Sequence, residues 1–286
     1  MTSGFLRPRG PWRIALCLGL VTILPAIALA AESARQILDR GRALDETTRR
    51  WGDRVQSLEF TIHGRLGDRA RTLRLYERRL SLGEHKVLVR LLDPADVREL
   101  GFLEFTHSGG GSEQWLYLPE FKRVRKVQGS VRNERFVGSD LTHDDLDLVT
   151  ALPGWTQDDA DAARADEETI DSIACHVIDL TPRRADVPYK RIRLWLGEDD
   201  LFARRLEFFA DGTTLTKRIS QSEIRSIGTI PVAHRIMVET PSDGTTTLIT
   251  IKETRFDVGI GDECFSHATL EDVRREASAC KVRPPS

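Results

Sequence analysis

"QWLYLPEFKRVRKVQGSVRNERFVGSDLTHDDL", Gln114–Leu146, holds an aromatic strand, a basic strand and a crowd of polar side chains at its end. In "EQWLYLP" Trp115 and Tyr117 are two apart, so on a strand they share a face. Pro119 ends that run and "FKRVRKVQ" begins a second strand. Lys122, Arg123, Arg125, Lys126, Arg132 and Arg135 form a basic cluster, within which Glu134 is the sole offset. The last part, "FVGSDLTHDDL" (Phe136–Leu146), carries a Ser, a Thr, a His and three Asp. It reads either as a reactive site or as a strand end at Gly138 running into a helix.

The spacing favours the helix entry. Thr142 followed three residues later by Asp145 is a capping box of the T-x-x-D type. Asp144 and Asp145 fall in the first turn, where the helix dipole favours acids. Leu146 and Val149 then face inward. A calcium loop places its oxygen ligands at alternate positions around a sharp glycine turn, and this run has neither. Ser139, Asp140 and His143 lie too close in sequence to converge as a nucleophile set, and no G-x-S-x-G elbow occurs in the chain. Ser108–Ser112 lacks the G-K-S/T ending and the following helix of a phosphate loop, so it reads as a hairpin tip. The seven His stand singly, without the pairs that hold zinc. No metal, cofactor or enzyme activity is expected.

Outward from this stretch, the chain is dominated by period-two alternation. "LEFTIHGRL" sets Leu58, Phe60 and Ile62 against Glu59, Thr61 and His63. "RTLRLYERR", "HKVLVRLLD" and "GFLEFTH" precede the aromatic strand. "IACHVIDLTP", "KRIRLWLG", "LFARRLEFF", "TLTKRISQSEI", "PVAHRIMVET" and "TTLITIKETRF" follow the polar loop, separated by turns such as Ala210-Asp211-Gly212 and Ser242-Asp243-Gly244. About twelve strands are predicted by these patterns. Ser33 to about Trp51 reads as a helix, another follows Asp140, and a short one runs from Thr269 to about Ala277. "QDDADAARADEE", Gln157–Glu168, is a solvated linker or helix by composition. The fold class is mainly β (α+β). An antiparallel sheet of this size curls. The expected architecture is an incomplete β-barrel with helices covering its concave face and an apolar cavity between them.

The N-terminus is read separately. Arg7, Arg9 and Arg13 precede the apolar run Ile14–Leu29, and Ala28-Leu29-Ala30 is an A-x-A site, so residues 1–30 read as a secretory signal peptide. The apolar run is short for a spanning helix and is broken by Pro25. Position 31 is Ala, so no Cys stands directly after the site and lipid anchoring is not expected. Residues 31–286 form the single expected domain. Without the three arginines, 39 Lys and Arg face 44 Asp and Glu, a net charge of −5. That balance argues against nucleic acid as a partner. Cys175, Cys264 and Cys280 remain, enough for one disulfide and one thiol. Pairing Cys264 with Cys280 would tie down the C-terminal segment, although spacing alone does not select it.

Trp115, Tyr117, Leu118 and Pro119, then Phe136, Gly138, Ser139, Asp140 and Asp145, resemble the W-x-Y-L-P strand, basic strand and F-x-G-S-D element of the LolA-like outer-membrane lipoprotein-sorting proteins. "ARQILDR" near the start and "GIGDECFSHATLEDV" near the end fit the same group. The chain is longer than the usual carriers and looks more like a branch associated with RND-type exporters. The resemblance implies an incomplete barrel whose cavity shields acyl chains. It implies a periplasmic carrier of lipid or lipoprotein acyl chains, working with an RND-type inner-membrane transporter or an outer-membrane acceptor. The alternative is a periplasmic sensor or adaptor docking to an exporter or signalling protein. Candidate cavity residues are Trp115, Tyr117, Leu118, Phe121, Phe136, Leu141 and Leu146. Candidate docking residues are Lys122, Arg123, Arg125 and Lys126.

Overall fold

In the computed structural model, residues 1–2, 32–65, 67–108 and 110–283 are described. The expected signal peptide therefore lies outside the described residues, apart from Met1 and Thr2. Residues 32–286 form one compact unit.

The chain opens with helix α1, Ala34–Glu46. Ser33 caps it by accepting from the Gln36 amide, and the Gln36 side chain returns to the Ser33 amide at 2.8 Å. The helix ends earlier than its sequence period suggests, and Ala34 and Ile37 are its buried positions. Six strands follow: β1 Asp53–His63, β2 Arg69–Ser81, β3 Glu84–Asp93, β4 Gly101–Thr106, β5 Ser112–Leu118 and β6 Arg123–Val127. Helix α2, His143–Ala151, separates them from β7 Ala160–Arg164, β8 Glu168–Ile170 and β9 Ile173–Pro182. Then come β10 Arg191–Gly197, β11 Ala203–Phe209, β12 Leu215–Ile227, β13 Ile230–Thr240 and β14 Thr245–Phe256. Two short helices close the chain, α3 His267–Glu271 and α4 Val273–Ala279.

All fourteen strands belong to one antiparallel sheet, in the order β6-β5-β4-β3-β2-β1-β14-β13-β12-β11-β10-β9-β7, with β8 beside β7 on the edge of β9. Two meanders of short-turn neighbours are thus joined where the first and last strands pair, from Arg54 opposite Phe256 to His63 opposite Thr246. The ends of the sheet do not pair with each other, so it is an incomplete barrel.

The structure corrects several local readings. Among the described residues there are fourteen strands rather than about twelve, because Gln157–Glu168 is neither linker nor helix. It contains β7 and the start of β8. Its acids point outward at an exposed sheet edge, which hid the strand from a composition argument. Phe136–Gly138 is a single 3₁₀ turn rather than a strand end, since β6 stops at Val127. Gly138 sits at φ 79° there, a left-handed conformation that glycine adopts at little cost. The C-terminal helix is two helices, divided at Asp272.

The two faces of the sheet carry separate cores. Leu58, Phe60, Leu73, Val87, Val89 and Phe102 share one cluster with Ala34 and Ile37 of α1 and Leu148 of α2. Strands from both halves of the sheet contribute to it, so this is the inner face. Tyr76, Leu88 and Leu103, the alternate positions of the same strands, join Phe265, Leu270 and Val258 in a second cluster. Helices α3 and α4 therefore pack on the outer face. The expected helices over the concave side are α1 and α2, and the C-terminal helices add a layer on the opposite face. Cys264 and Cys280 form a disulfide across it, and Cys175 is a buried free thiol.

Arg90 explains why the outer layer stays in place. It is 1% exposed and its Nε donates to Glu276 of α4 at 2.7 Å. Both of its Nη atoms also donate, to the Glu99, Thr269 and Leu270 carbonyls at 2.8, 3.0 and 3.0 Å. A buried guanidinium is tolerated because its donors are satisfied.

Candidate ligand-binding cavity

Between the inner face and helices α1 and α2 lies a cavity of about 540 Å³. Its walls are mostly aliphatic, with Leu38 from α1, Leu58 from β1, Leu73 and Leu75 from β2, and Leu194 and Leu206 from β10 and β11. Leu146, Leu152 and Trp155 border it from α2 and the turn after it. Pockets of ~300–1,000 Å³ with such linings are the usual size for one small ligand.

Helix α2 is fixed over this space by polar contacts that the loop before it supplies. The Thr142–Asp145 capping box is present: the Thr142 hydroxyl accepts from the Asp145 amide at 3.2 Å, and Asp145 accepts from the Thr142 amide at 2.7 Å. Asp145 also accepts from the Tyr189 hydroxyl at 2.6 Å and from the ammonium of Lys217 on β12. Asp145 and Lys217 are 2% and 4% exposed, so this is a buried ion pair. Burial and the Asp145 carboxylate push the Tyr189 hydroxyl pKa up. Arg132 spans the helix start, binding Asp144 at 2.6 Å and Asp147 at 2.9 Å. At the far end, a Cβ on Gly154 would stand 2.6 Å from the Leu82 carbonyl oxygen, so glycine allows the chain after α2 to rest on the β2–β3 turn.

The other polar residues of the loop are occupied by structure. Asp140 accepts from Thr245 and Thr247 of β14, at 2.5 and 2.8 Å, and pairs with Arg135 at 3.2 Å. The Ser139 hydroxyl accepts from the Leu141 amide at 3.2 Å. His143 packs against Phe102 and Phe136, with centroids 5.6 and 5.8 Å away, and burial together with Arg132 pulls its pKa down to about 4. Ser139, Asp140 and His143 thus face different neighbours.

The seven candidate cavity residues separate. Phe136 and Leu146 border the cavity. Leu141 is buried in the inner core, and Leu118 is half-buried. Phe121 is 67% exposed on the β5–β6 turn. Trp115 and Tyr117 pack in the outer cluster, where Trp115 meets His267 at 4.7 Å between centroids. Register is the reason: Leu103 and Gly101 oppose Trp115 and Tyr117, whereas Phe102 and Glu104 oppose Leu116 and Gln114 on the inner face. Alternation predicts a shared face but not which one. The four candidate docking residues are exposed on β6, an edge strand, and on the turn before it. Lys126 pairs with Glu113 at 2.9 Å, while Lys122, Arg123 and Arg125 make no ion pair among the described residues.

Charged groups at the cavity escaped the sequence reading. Along the strands the inner positions change character. On β1, Phe60 and Leu58 give way to Gln56 and Arg54; on β2, Leu73 and Leu75 give way to Glu77 and Arg79; on β3, Val89 and Val87 give way to His85. Arg54 and His85 hold Glu77 at 2.6 Å each, keeping its pKa at about 2 against the opposing effect of burial. Glu104 is different. Burial first, and then the nearby Asp147, push it up to about 8, although Gln114 donates to it at 2.5 Å. The signal was present in the same alternation, had it been followed to the strand ends.

These features define an open antiparallel half-barrel whose inner cavity is roofed by helices, and the solved structures with this fold include LolA-like proteins. An outer membrane lipoprotein-sorting protein domain from Vibrio parahaemolyticus is 22% identical, with a TM-score of 0.75, covering 84% of this chain and 98% of that one. A DUF1329 family protein from Desulfovibrio piger is 23% identical at a TM-score of 0.75, covering 84% and 100%. A LolA superfamily protein from Nitrosomonas europaea is 16% identical at 0.63, covering 84% and 100%. At these identities the likeness establishes the LolA-like fold. A family model described as "-like: Uncharacterized protein" matches residues 83–272, and the chain belongs to that family. Comparison with curated proteins finds no match. No helix among the described residues is long and apolar enough to cross a membrane.

Proposed function

We propose that this chain is a periplasmic carrier that shelters an acyl chain of a lipid or lipoprotein in the helix-roofed cavity. The observation that carries the reading is the cavity of about 540 Å³ with aliphatic walls from both halves of the sheet. Apolar walls bind hydrocarbon without demanding hydrogen bonds, and each buried methylene contributes ~0.8 kcal/mol. No covalent step is required, because cargo can pass down a gradient of affinity between partners. Export by the signal at residues 1–30 would place the carrier between the membranes. The sorting domain among the fold neighbours is consistent with lipoprotein cargo.

A second reading draws on the cations Lys122, Arg123 and Arg125, on β6 and the turn before it, which make no ion pair among the described residues. These would dock an acidic surface of an RND-type exporter or of a signalling protein, with the chain acting as adaptor or sensor. The two readings share the cavity and differ in the edge.

The test is to purify the mature chain from its host, extract it for lipid mass spectrometry, and measure displacement of a fluorescent fatty-acyl probe. Co-purified lipid and saturable displacement are expected. Leu58→Trp and Leu206→Trp, which fill the cavity, should weaken probe binding. Absence of lipid together with absence of displacement would reject the carrier. Charge reversal at Arg123 and Arg125 should leave probe binding unchanged in either case.

A further inference from the structure

The charged end of the inner face has a shape and a charge balance that the carrier reading does not use. Arg54 and Arg79 stand beside the Trp51 ring, 4.9 and 4.7 Å from its centroid. Arg49, from the segment after α1, lies 3.9 Å from Asp45, the residue whose main-chain oxygen also accepts from Arg79. All three arginines line the cavity together with Trp51. Arg54 is matched by Glu77. Arg79 donates to main-chain oxygens, of Trp51 at 3.2 Å and Asp45 at 2.9 Å, and Arg49 donates to the main-chain oxygen of Asp200. Carbonyl acceptors satisfy hydrogen bonds but do not neutralise charge. Three cations therefore face two acids, Asp45 and Glu77, leaving a surplus of one positive charge.

The rest of the lining does not remove that surplus. Arg35 and Arg42 also border the cavity, donating to the Ala160 and Trp155 carbonyls, and Arg42 is matched by Asp39 at 3.3 Å. Glu104, the other acid of the wall, is pushed up to about 8 and is largely uncharged at neutral pH. The arginine cluster also meets solvent, since the Arg54 side chain keeps 28% of its exposure. The aliphatic rows begin one inner position further along, beyond Gln56 on β1 and Glu77 on β2.

We infer that the cavity is built for an anionic amphiphile whose single negatively charged group, a carboxylate or a phosphate, lies against Arg49, Arg54 and Arg79 beside Trp51 while its hydrocarbon follows the aliphatic rows. This rests on the carrier reading and narrows its cargo. Neutral acyl esters would occupy the same rows without reaching the surplus charge. Arginine suits the role because its planar fork binds such oxyanions in pairs of hydrogen bonds.

The test compares ligands of one chain length on the intact mature protein by isothermal titration or probe displacement. Palmitate and hexadecyl phosphate are set against methyl palmitate and hexadecanol, with inorganic phosphate alone as a further arm. The anionic pair should bind at least about tenfold more tightly than the neutral pair, the effect of one charged hydrogen-bonding group. Arg49→Gln with Arg79→Gln, which by the same count turns the surplus of one positive charge into one negative, should reduce the anions to the affinity of the neutral ligands or below it and leave the neutral ligands unchanged. Retained methyl palmitate binding shows that the variant is folded. A preference for palmitate over hexadecyl phosphate, or the reverse, identifies which oxyanion is taken. Equal binding of charged and neutral ligands to the unaltered protein would overturn the inference and leave the carrier standing. Inorganic phosphate binding as tightly as hexadecyl phosphate would also overturn it. Failure of every chain-bearing ligand would reject the carrier and the inference together.

Discussion

The Tyr189 hydroxyl donates a 2.6 Å hydrogen bond to Asp145, the N3 residue of helix α2. With Lys217 on the same carboxylate, that contact ties the helix roofing the cavity to a strand of the far half of the sheet. The helix entry thus couples a local cap to the tertiary structure.

Asp145→Ala should be costly for two reasons. It removes a cap and strands the Lys217 ammonium in a buried site. Breaking one partner of a buried pair costs roughly 3–5 kcal/mol. Thr142→Ala, which removes only the cap, should cost about 1 kcal/mol. Urea unfolding followed by circular dichroism measures both, and equal small losses would contradict the coupling.

Glu276→Ala should leave Arg90 charged and unmatched between sheet and outer helices. A loss of roughly 3–5 kcal/mol is expected by the same argument. Hydrogen exchange should show the loosening first in α3 and α4, because their main-chain oxygens hold the other Arg90 donors. Uniform exchange across the sheet would argue against this local role.

Glu104 predicts a pH dependence of definite sign. Its folded pKa lies at about 8, above the ordinary 4.5. The folded state then holds a proton that the unfolded state releases, so this stabilisation is complete below about 4.5 and is lost as pH rises through about 8. Glu104→Gln should flatten that fall in thermal stability across the interval. His143 acts oppositely, with its pKa depressed from 6.5 to about 4, so its contribution is present above 6.5 and is lost as pH falls towards 4. An unchanged slope in the Gln variant would refute the assignment to Glu104.

The Cys264–Cys280 disulfide closes a short loop, with a sequence separation of 16. Cys264→Ser with Cys280→Ser should lower stability by roughly 2–5 kcal/mol. Trp115, which packs under this segment, should report the change by its fluorescence. If the double variant unfolds at the same urea concentration as the parent, the outer core holds that segment unaided.

Local patterns were legible where the physics is local. The Thr142–Asp145 cap, the meanders and the mainly antiparallel class follow from spacings of three residues or fewer, which set backbone hydrogen bonding and side-chain facing. The candidate site was legible only in part. Phe136 and Leu146 border the cavity, but Trp115 and Tyr117 fill the outer core. Strand β7 was missed because an edge strand with exposed acids buries too little to show a hydrophobic period.

Three properties depended on long-range pairing. Joining β1 to β14 brought the two meanders into one curled sheet and made one of its faces interior. Placing α1 and α2 on that face, and α3 and α4 on the other, determined which aliphatic rows border empty space and which are packed. Bringing Arg54 and Arg79 beside Trp51, with Arg49 in the same cavity wall, put unmatched charge at the end of those rows. Alternation along a strand specifies two faces with equal clarity, and only the partner that covers each face distinguishes core from cavity.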